Sequence, residues 1–289
     1  MTEMRNPGPH PAPHAPSLTL PDNACDAHCH IFGPIETFPY SENSPYRPAE
    51  SPLPDLQRLH TLLGLTRAVL VQPVAHGRDH SALAAALEAG RGRYRGVALI
   101  GPDTSPDEIE RLHTAGVRGA RLNFVSHLMP PPSRAAVEEI TKLVRPHGWH
   151  LSVHVADSGI VKLADFVRTL PLPVVIDHMA RVDLRGGLNS PEVRVLRQLL
   201  CSGSVWVKLS GADRLVICPT DLPDAVALAR LLMHDAPERV VWGTDFPHPN
   251  THGFVPDDGD LVDLLTTIAP GPADRRRLLV DNPTVCFDF

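Results

Sequence analysis

Eight times along the chain, a short run of apolar and largely β-branched residues gives way to a turn. The runs cover residues 24–32, 66–73, 95–102, 116–124, 149–156, 173–179, 205–211 and 239–245. Several are almost continuously apolar, as parallel strands buried on both faces must be. Helical patterns fall between them, as in "DHSALAAALEAGR" (79–91), "SPDEIERLHTAG" (105–116), "SRAAVEEITKLVRPHG" (133–148) and "SPEVRVLRQLLCSG" (190–203). Ser105, Pro106 and Glu108 read as a capping-box start with proline in the first turn, and Gly116 as the stop. Strand then helix, eight times over, predicts an α/β fold of the (β/α)8 barrel type. The rival, a doubly wound open sheet, would carry a GxGxxG after its first strand, and none is present.

Residues 1–22, "MTEMRNPGPHPAPHAPSLTLPD", are rich in proline and read as an extended or disordered arm carrying His10 and His14. Residues 23–289 then form one catalytic domain. With 289 residues, 43% of them hydrophobic, the chain can bury a large core. A net charge of −6 with scattered Lys and Arg speaks against a nucleic-acid or membrane surface. No apolar run approaches the ~18 residues of a membrane span, and no signal region opens the chain. The five cysteines form no CxxC pair and read as reduced thiols of a cytoplasmic protein. The oligomeric state is not legible.

Polar residues close the apolar runs. In "CDAHCHIFGP", His28 and His30 lie two apart and so project to one side of a strand, while Cys29 projects to the other. His154 lies in the fifth run, and His178 and Asp245 close the sixth and eighth. Arg121 and Asn123 close the fourth, and the seventh leads into Lys208 and Arg214. Burying such groups is costly unless they pair or bind something. In a (β/α)8 barrel the C-terminal strand ends form the active site, so these side chains are expected at one mouth. The loop 33–52 after the first run is long enough to be functional. His76 could touch substrate or merely shape a loop. His248 and Asn250 are expected to support the site from behind, and His60, His80, His113, His147, His150, His234 and His252 to be surface or packing residues.

HxH on the first strand, His on the fifth and sixth and Asp on the eighth resemble the amidohydrolase superfamily. The motifs "DAHCHIFGP", "VIDHMAR", "WGTDFPHPN" and "VPDDG" resemble its 2-pyrone-4,6-dicarboxylate lactonase branch, over residues 24–289. The resemblance implies a hydrolase that opens a carboxylate-bearing lactone. Asp245 would activate water, and His28, His30 and His178 would polarise the carbonyl. Arg121, Arg181 and Arg214 would hold carboxylates, with Tyr46 lining the site. Two positions depart from that branch. His154 stands where it has tyrosine, which restores the strand-5 ligand of metal-dependent superfamily members. His28, His30, His154 and Asp245 would then suit one Zn²⁺ or Mn²⁺. His127 stands where it has a carboxylate-binding arginine, and an imidazole cannot reproduce a bidentate grip. The substrate could therefore be 2-pyrone-4,6-dicarboxylate, a sulfonated muconolactone or a sugar-acid lactone. The alternatives are a metal-dependent decarboxylase or a lactone isomerase of the same superfamily, or a non-catalytic lactone-binding protein.

Overall fold

A computed structural model describes residues 8–216, 218–251 and 254–289, so His252 and the first seven residues of the arm lie outside it. The eight strands are β1 (Cys25–Cys29), β2 (Arg67–Val71), β3 (Tyr94–Ala98), β4 (Val117–Asn123), β5 (His150–His154), β6 (Val174–Ile176), β7 (Val205–Leu209) and β8 (Val240–Trp242). All neighbours pair parallel and in chain order, β1 through β8. Two backbone bonds join the ends: Asp245 N donates to His28 O at 2.8 Å, and His30 N to Phe246 O at 2.7 Å. The result is the expected (β/α)8 barrel. A Cβ at Gly243 would lie 2.4 Å from the His28 amide nitrogen, so glycine there permits the approach of the last strand to the first.

Strands and helices share one core. On β7, Val205, Val207 and Leu209 face the outer helices, whereas Trp206 joins the cluster inside the barrel with Val69, Val71, Val97, Val175 and Val241. The outer helices are α1 (Leu53–Leu63), α2 (Ser81–Gly90), α3 (Pro106–Ala115), α4 (Arg134–Val144), α5 (Gly159–Thr169), α6 (Pro191–Leu200) and α7 (Leu222–Asp235), with α8 (Asp258–Asp263) after β8. Ser105, Ser133 and Ser190 cap α3, α4 and α6, each accepting from the amide three residues on. Gly116 ends α3 at φ 111°, a conformation costly for other residues. α6 buries Val193, Leu196, Leu199 and Leu200, one helical stripe, each worth about 1.5–3 kcal/mol. Leu196→Ala would break it at a cost of about 2–5 kcal/mol.

The floor of the barrel is closed by Phe287, whose ring meets His150 edge-on at 5.3 Å. At the other end the strands stop before their apolar runs do. β6 ends at Ile176, and residues His178, Met179, Ala180 and Arg181 follow with φ of 47–59°. β8 ends at Trp242, and Asp245 has φ 69°. His178 and Asp245 thus lie past the strand ends rather than on them. Left-handed backbone at non-glycine residues costs roughly 1–2 kcal/mol per residue, and such strain gathers at functional sites.

The described part of the arm is extended and tied down. The amides of His14, Ser17 and Leu18 donate to Asp257 and Asp263, and Leu18 and Leu20 pack on the core. Loop 33–52 is also fixed, by paired backbone bonds between Phe32 and Ser51 at 2.9 Å. Among the described residues, no helix is long and apolar enough to cross a membrane.

Candidate active site

A β-bulge sets up the two histidines of β1. The register slips between Asp26 and Cys29. Cys25 and Ala27 join the inner cluster, while Cys29 faces the outer core. Asp26 instead works as a staple. It accepts from the amides of His28 and Thr244 at 3.0 Å each, from the Thr244 hydroxyl at 2.6 Å, and from His60 Nε2 on α1 at 3.1 Å. One carboxylate therefore locks the end of β1 to the segment that presents Asp245.

Around that segment the expected residues meet. Asp245 is fully buried, and its Oδ1 lies 3.6 Å from His28 Nε2, 3.5 Å from His30 Nε2 and 3.7 Å from His178 Nε2. That oxygen has no hydrogen-bond partner among the described residues, whereas Oδ2 accepts from Arg214 Nε. A small cavity of about 30 Å³ opens here, lined by His30, Tyr46, Arg121, His154, His178, Arg181, Arg214 and Asp245. This has room for about two waters. Arg121 donates to Gln72 O at 3.1 Å and lies 3.4 Å from His154 Nδ1. Arg181 Nε is buried without a partner, so the guanidinium keeps donor capacity for an anion.

The electrostatics follow from burial. Burial opposes the Asp245 charge, but Arg214 and then His178 outweigh it and hold the carboxyl well below its usual range. Burial and then Lys208 push the His28 imidazole down to about 3. His30, His154 and His178 are also lowered, burial first. The site thus offers neutral imidazoles and an ionised carboxylate. Tautomers can be assigned from partners. His30 Nδ1 lies 2.7 Å from Val71 O, an acceptor only, so Nδ1 carries the proton and Nε2 a lone pair. His28 Nδ1 lies 3.1 Å from Lys208 Nζ, a donor only, so the His28 proton sits on Nε2, 3.2 Å from His30 Nε2. His178 Nδ1 meets Ser210 Oγ at 3.0 Å.

Lys208, expected at the mouth, lies instead beneath the histidines, paired with Asp177, which sequence reasoning missed. Asp177 and Lys208 are both fully buried, with Lys208 Nζ 3.2 Å from Asp177 Oδ1. Ser152 Oγ donates to the same oxygen at 3.1 Å, and Arg121 Nε stands 3.8 Å from the other. The signal for Asp177 was an acid next to His178 at the end of the apolar run "VVID". Behind Asp245, His248 is 3.2 Å from Asp258, and Asp213 is buried nearby. His76 is set apart. Its ring nitrogens face Pro39 O at 3.3 Å and the Gly33 amide at 3.5 Å, and it stacks on Phe32, clamping loop 33–52. His127 is exposed at the rim, 3.4 Å from Asn250 Nδ2. Tyr46 packs against Phe32, Tyr40 and Ala75 while facing the cavity.

His28, His178 and Asp245 place one ligand atom each within 4.8 Å of one another. The orphaned Asp245 Oδ1 gives the group an open anionic position, and the chemistry of the set fits a divalent ion. His154 is not in this group. Its Nδ1 faces Arg121, and its ring centre is 5.6 Å from that of His178.

The amidohydrolase family profile matches residues 25–289, the whole barrel. The chain belongs to the amidohydrolase family. This amidohydrolase is 39% identical over 280 residues to a 2-pyrone-4,6-dicarboxylate hydrolase of Comamonas testosteroni, covering 94% of this chain and 92% of that one. It is 36% identical to a 4-sulfomuconolactone hydrolase of Hydrogenophaga intermedia, covering 93% and 90%. The apo crystal structure of an Agrobacterium tumefaciens protein superposes on this amidohydrolase with a TM-score of 0.84 at 27% identity, covering 95% of this chain and 99% of that one.

Proposed function

We propose that this amidohydrolase opens a carboxylate-bearing lactone with water. The observation that carries the proposal is Asp245: one carboxylate oxygen held by Arg214, the other unpartnered at a cavity and surrounded by three imidazole nitrogens. The naming of its relatives as lactone hydrolases supports the same chemistry.

The lactone's carboxylate engages Arg181 and Arg121, which fixes the ring against the cavity. Water attacks the carbonyl carbon, and Asp245 Oδ1 accepts its proton. Negative charge gathers on the carbonyl oxygen; His178 lines the cavity, and with its Nδ1 accepting from Ser210 Oγ its Nε2 proton faces that oxygen. The ring C–O bond then breaks, and the departing oxygen takes a proton, giving the ring-opened acid. A carboxylate held as low as Asp245 is a weak base, so the water needs acidifying. A divalent ion, Zn²⁺ or Mn²⁺, held by His28, His178 and Asp245 with His30 beside them, would lower the pKa of water and polarise the carbonyl. His28, ligating through Nε2, would then carry its proton on Nδ1, 3.4 Å from Asp177 Oδ1, in place of the tautomer assigned above. All five cysteines are unpaired, which supports a reducing, cytoplasmic setting.

The test offers 2-pyrone-4,6-dicarboxylate and 4-sulfomuconolactone to the enzyme and follows ring absorbance, acid release and CO₂. Acid release without CO₂ is expected from at least one. Release of CO₂ would favour a decarboxylase, and binding without turnover of either would remove the hydrolase assignment.

A further inference from the structure

The catalytic cavity is too small for a substituted lactone ring, but it does not stand alone. A groove of about 540 Å³ runs beside it and shares the walls Val74, Arg121 and Leu128. That volume falls within the ~300–1,000 Å³ of small-molecule sites. The groove passes over the end of β4 toward α4, where Ile100, Met129 and Ala136 line it. Its walls are mainly apolar, in contrast to the cationic cavity at its inner end. At its outer end, Arg78 pairs with Asp103 across Gly101.

We infer that the groove takes an apolar substituent, an aryl ring or alkyl chain, carried on the carboxylated lactone whose reactive end lies at Asp245. This deepens the function proposed above and rests on it. Arg121 stands at the junction of the two spaces, so a carboxylate gripped there directs one side of the ring to Asp245 and the other along the groove. A compact diacid leaves the apolar walls in water. A substituent that covers them gains affinity roughly in proportion to the apolar area removed from water.

The experiment compares 5-oxotetrahydrofuran-2-carboxylate with its 3-phenyl derivative. Wild-type enzyme is expected to show at least tenfold higher kcat/KM for the phenyl compound. Ala136→Phe fills the groove from α4, away from Asp245, and should erase that preference while leaving the unsubstituted lactone unchanged. Met129→Trp serves as a second filling variant if the first fails to fold. Equal rates for both lactones in wild type, or equal losses for both in the variants, would overturn the inference. If neither of these lactones is opened, 2-pyrone-4,6-dicarboxylate and 4-sulfomuconolactone decide the hydrolase assignment separately, and binding decides the groove. Phenylsuccinate should bind at least tenfold more tightly than succinate in wild type and lose that margin in Ala136→Phe. Equal binding of the two would overturn the inference independently.

Discussion

Lys208→Met removes a fully buried ammonium inside the barrel and leaves its partners in place. Lys208 Nζ stands 3.2 Å from Asp177 Oδ1 and 3.1 Å from His28 Nδ1, and both Lys208 and Asp177 are fully buried. Removing one partner of a buried ion pair costs about 3–5 kcal/mol, because the other charge is left uncompensated. Asp177 would keep only the Ser152 hydroxyl and Arg121 at 3.8 Å. In the wild type, burial opposes the Asp177 charge, but Lys208, His28 and Arg121 hold its carboxyl well below the usual range. A carboxyl lowered in the folded state adds stability above its unfolded pKa and loses it as pH falls through the folded one. Without Lys208 the order reverses. Burial raises the carboxyl, the folded state takes up a proton first, and the penalty shrinks as pH falls, by about 1.4 kcal/mol per unit below the new pKa. Urea unfolding at pH 8 and pH 5.5 measures both effects. The variant should lose about 3–5 kcal/mol at pH 8 and clearly less at pH 5.5. Lys208→Met with Asp177→Leu should be more stable at pH 8 than Lys208→Met alone. A loss under about 1 kcal/mol at pH 8, or a loss independent of pH, would refute the reasoning.

Three further outcomes follow from the same geometry. Arg181→Met should raise KM roughly 10–100-fold with little change in kcat, as loss of a charge-assisted contact of about 1.5–3 kcal/mol requires; an unchanged KM would take Arg181 out of the site. Burial and then Lys208 lower His150 to about 3, so its stabilising neutrality is complete above about pH 6.5 and lost as pH falls toward 3. His150→Leu should therefore gain about 2 kcal/mol on wild type between pH 7 and pH 5, and parallel pH profiles would count against that assignment. Zn²⁺ at about 100 times its Kd should stabilise the wild type by about 2.7 kcal/mol but not His178→Asn; thermal melts that leave both unmoved would show that His28, His178 and Asp245 hold no ion.

The barrel was legible because strands covered on both faces must be apolar throughout, and that property survives in a single sequence. The convergence of His28, His30, His178 and Asp245 was legible for a related reason: polar groups at the ends of such runs cannot be buried singly. The bulge in β1 was not legible, because it depends on how β1 meets β2. Nor was the left-handed turn from His178 to Arg181, which contains no glycine to announce it. Asp177 and Lys208 meet because β6 and β7 bring them to one interior layer, and stagger between strands leaves no trace in either run. His60 read as packing because its partner, Asp26, lies 34 residues away. His76 shares its residue type with the site histidines, and only its neighbours, Pro39, Gly33 and Phe32, assign it to the loop.

The central claim is that Asp245 takes the proton of the water that opens a lactone. The direct measurement is the initial rate of ring opening of 2-pyrone-4,6-dicarboxylate and 4-sulfomuconolactone by wild type and by Asp245→Asn, with folding checked by circular dichroism. The account predicts turnover of at least one by wild type and a loss of roughly 10²–10⁴-fold in kcat in the folded variant. A folded Asp245→Asn enzyme within tenfold of wild type would contradict it.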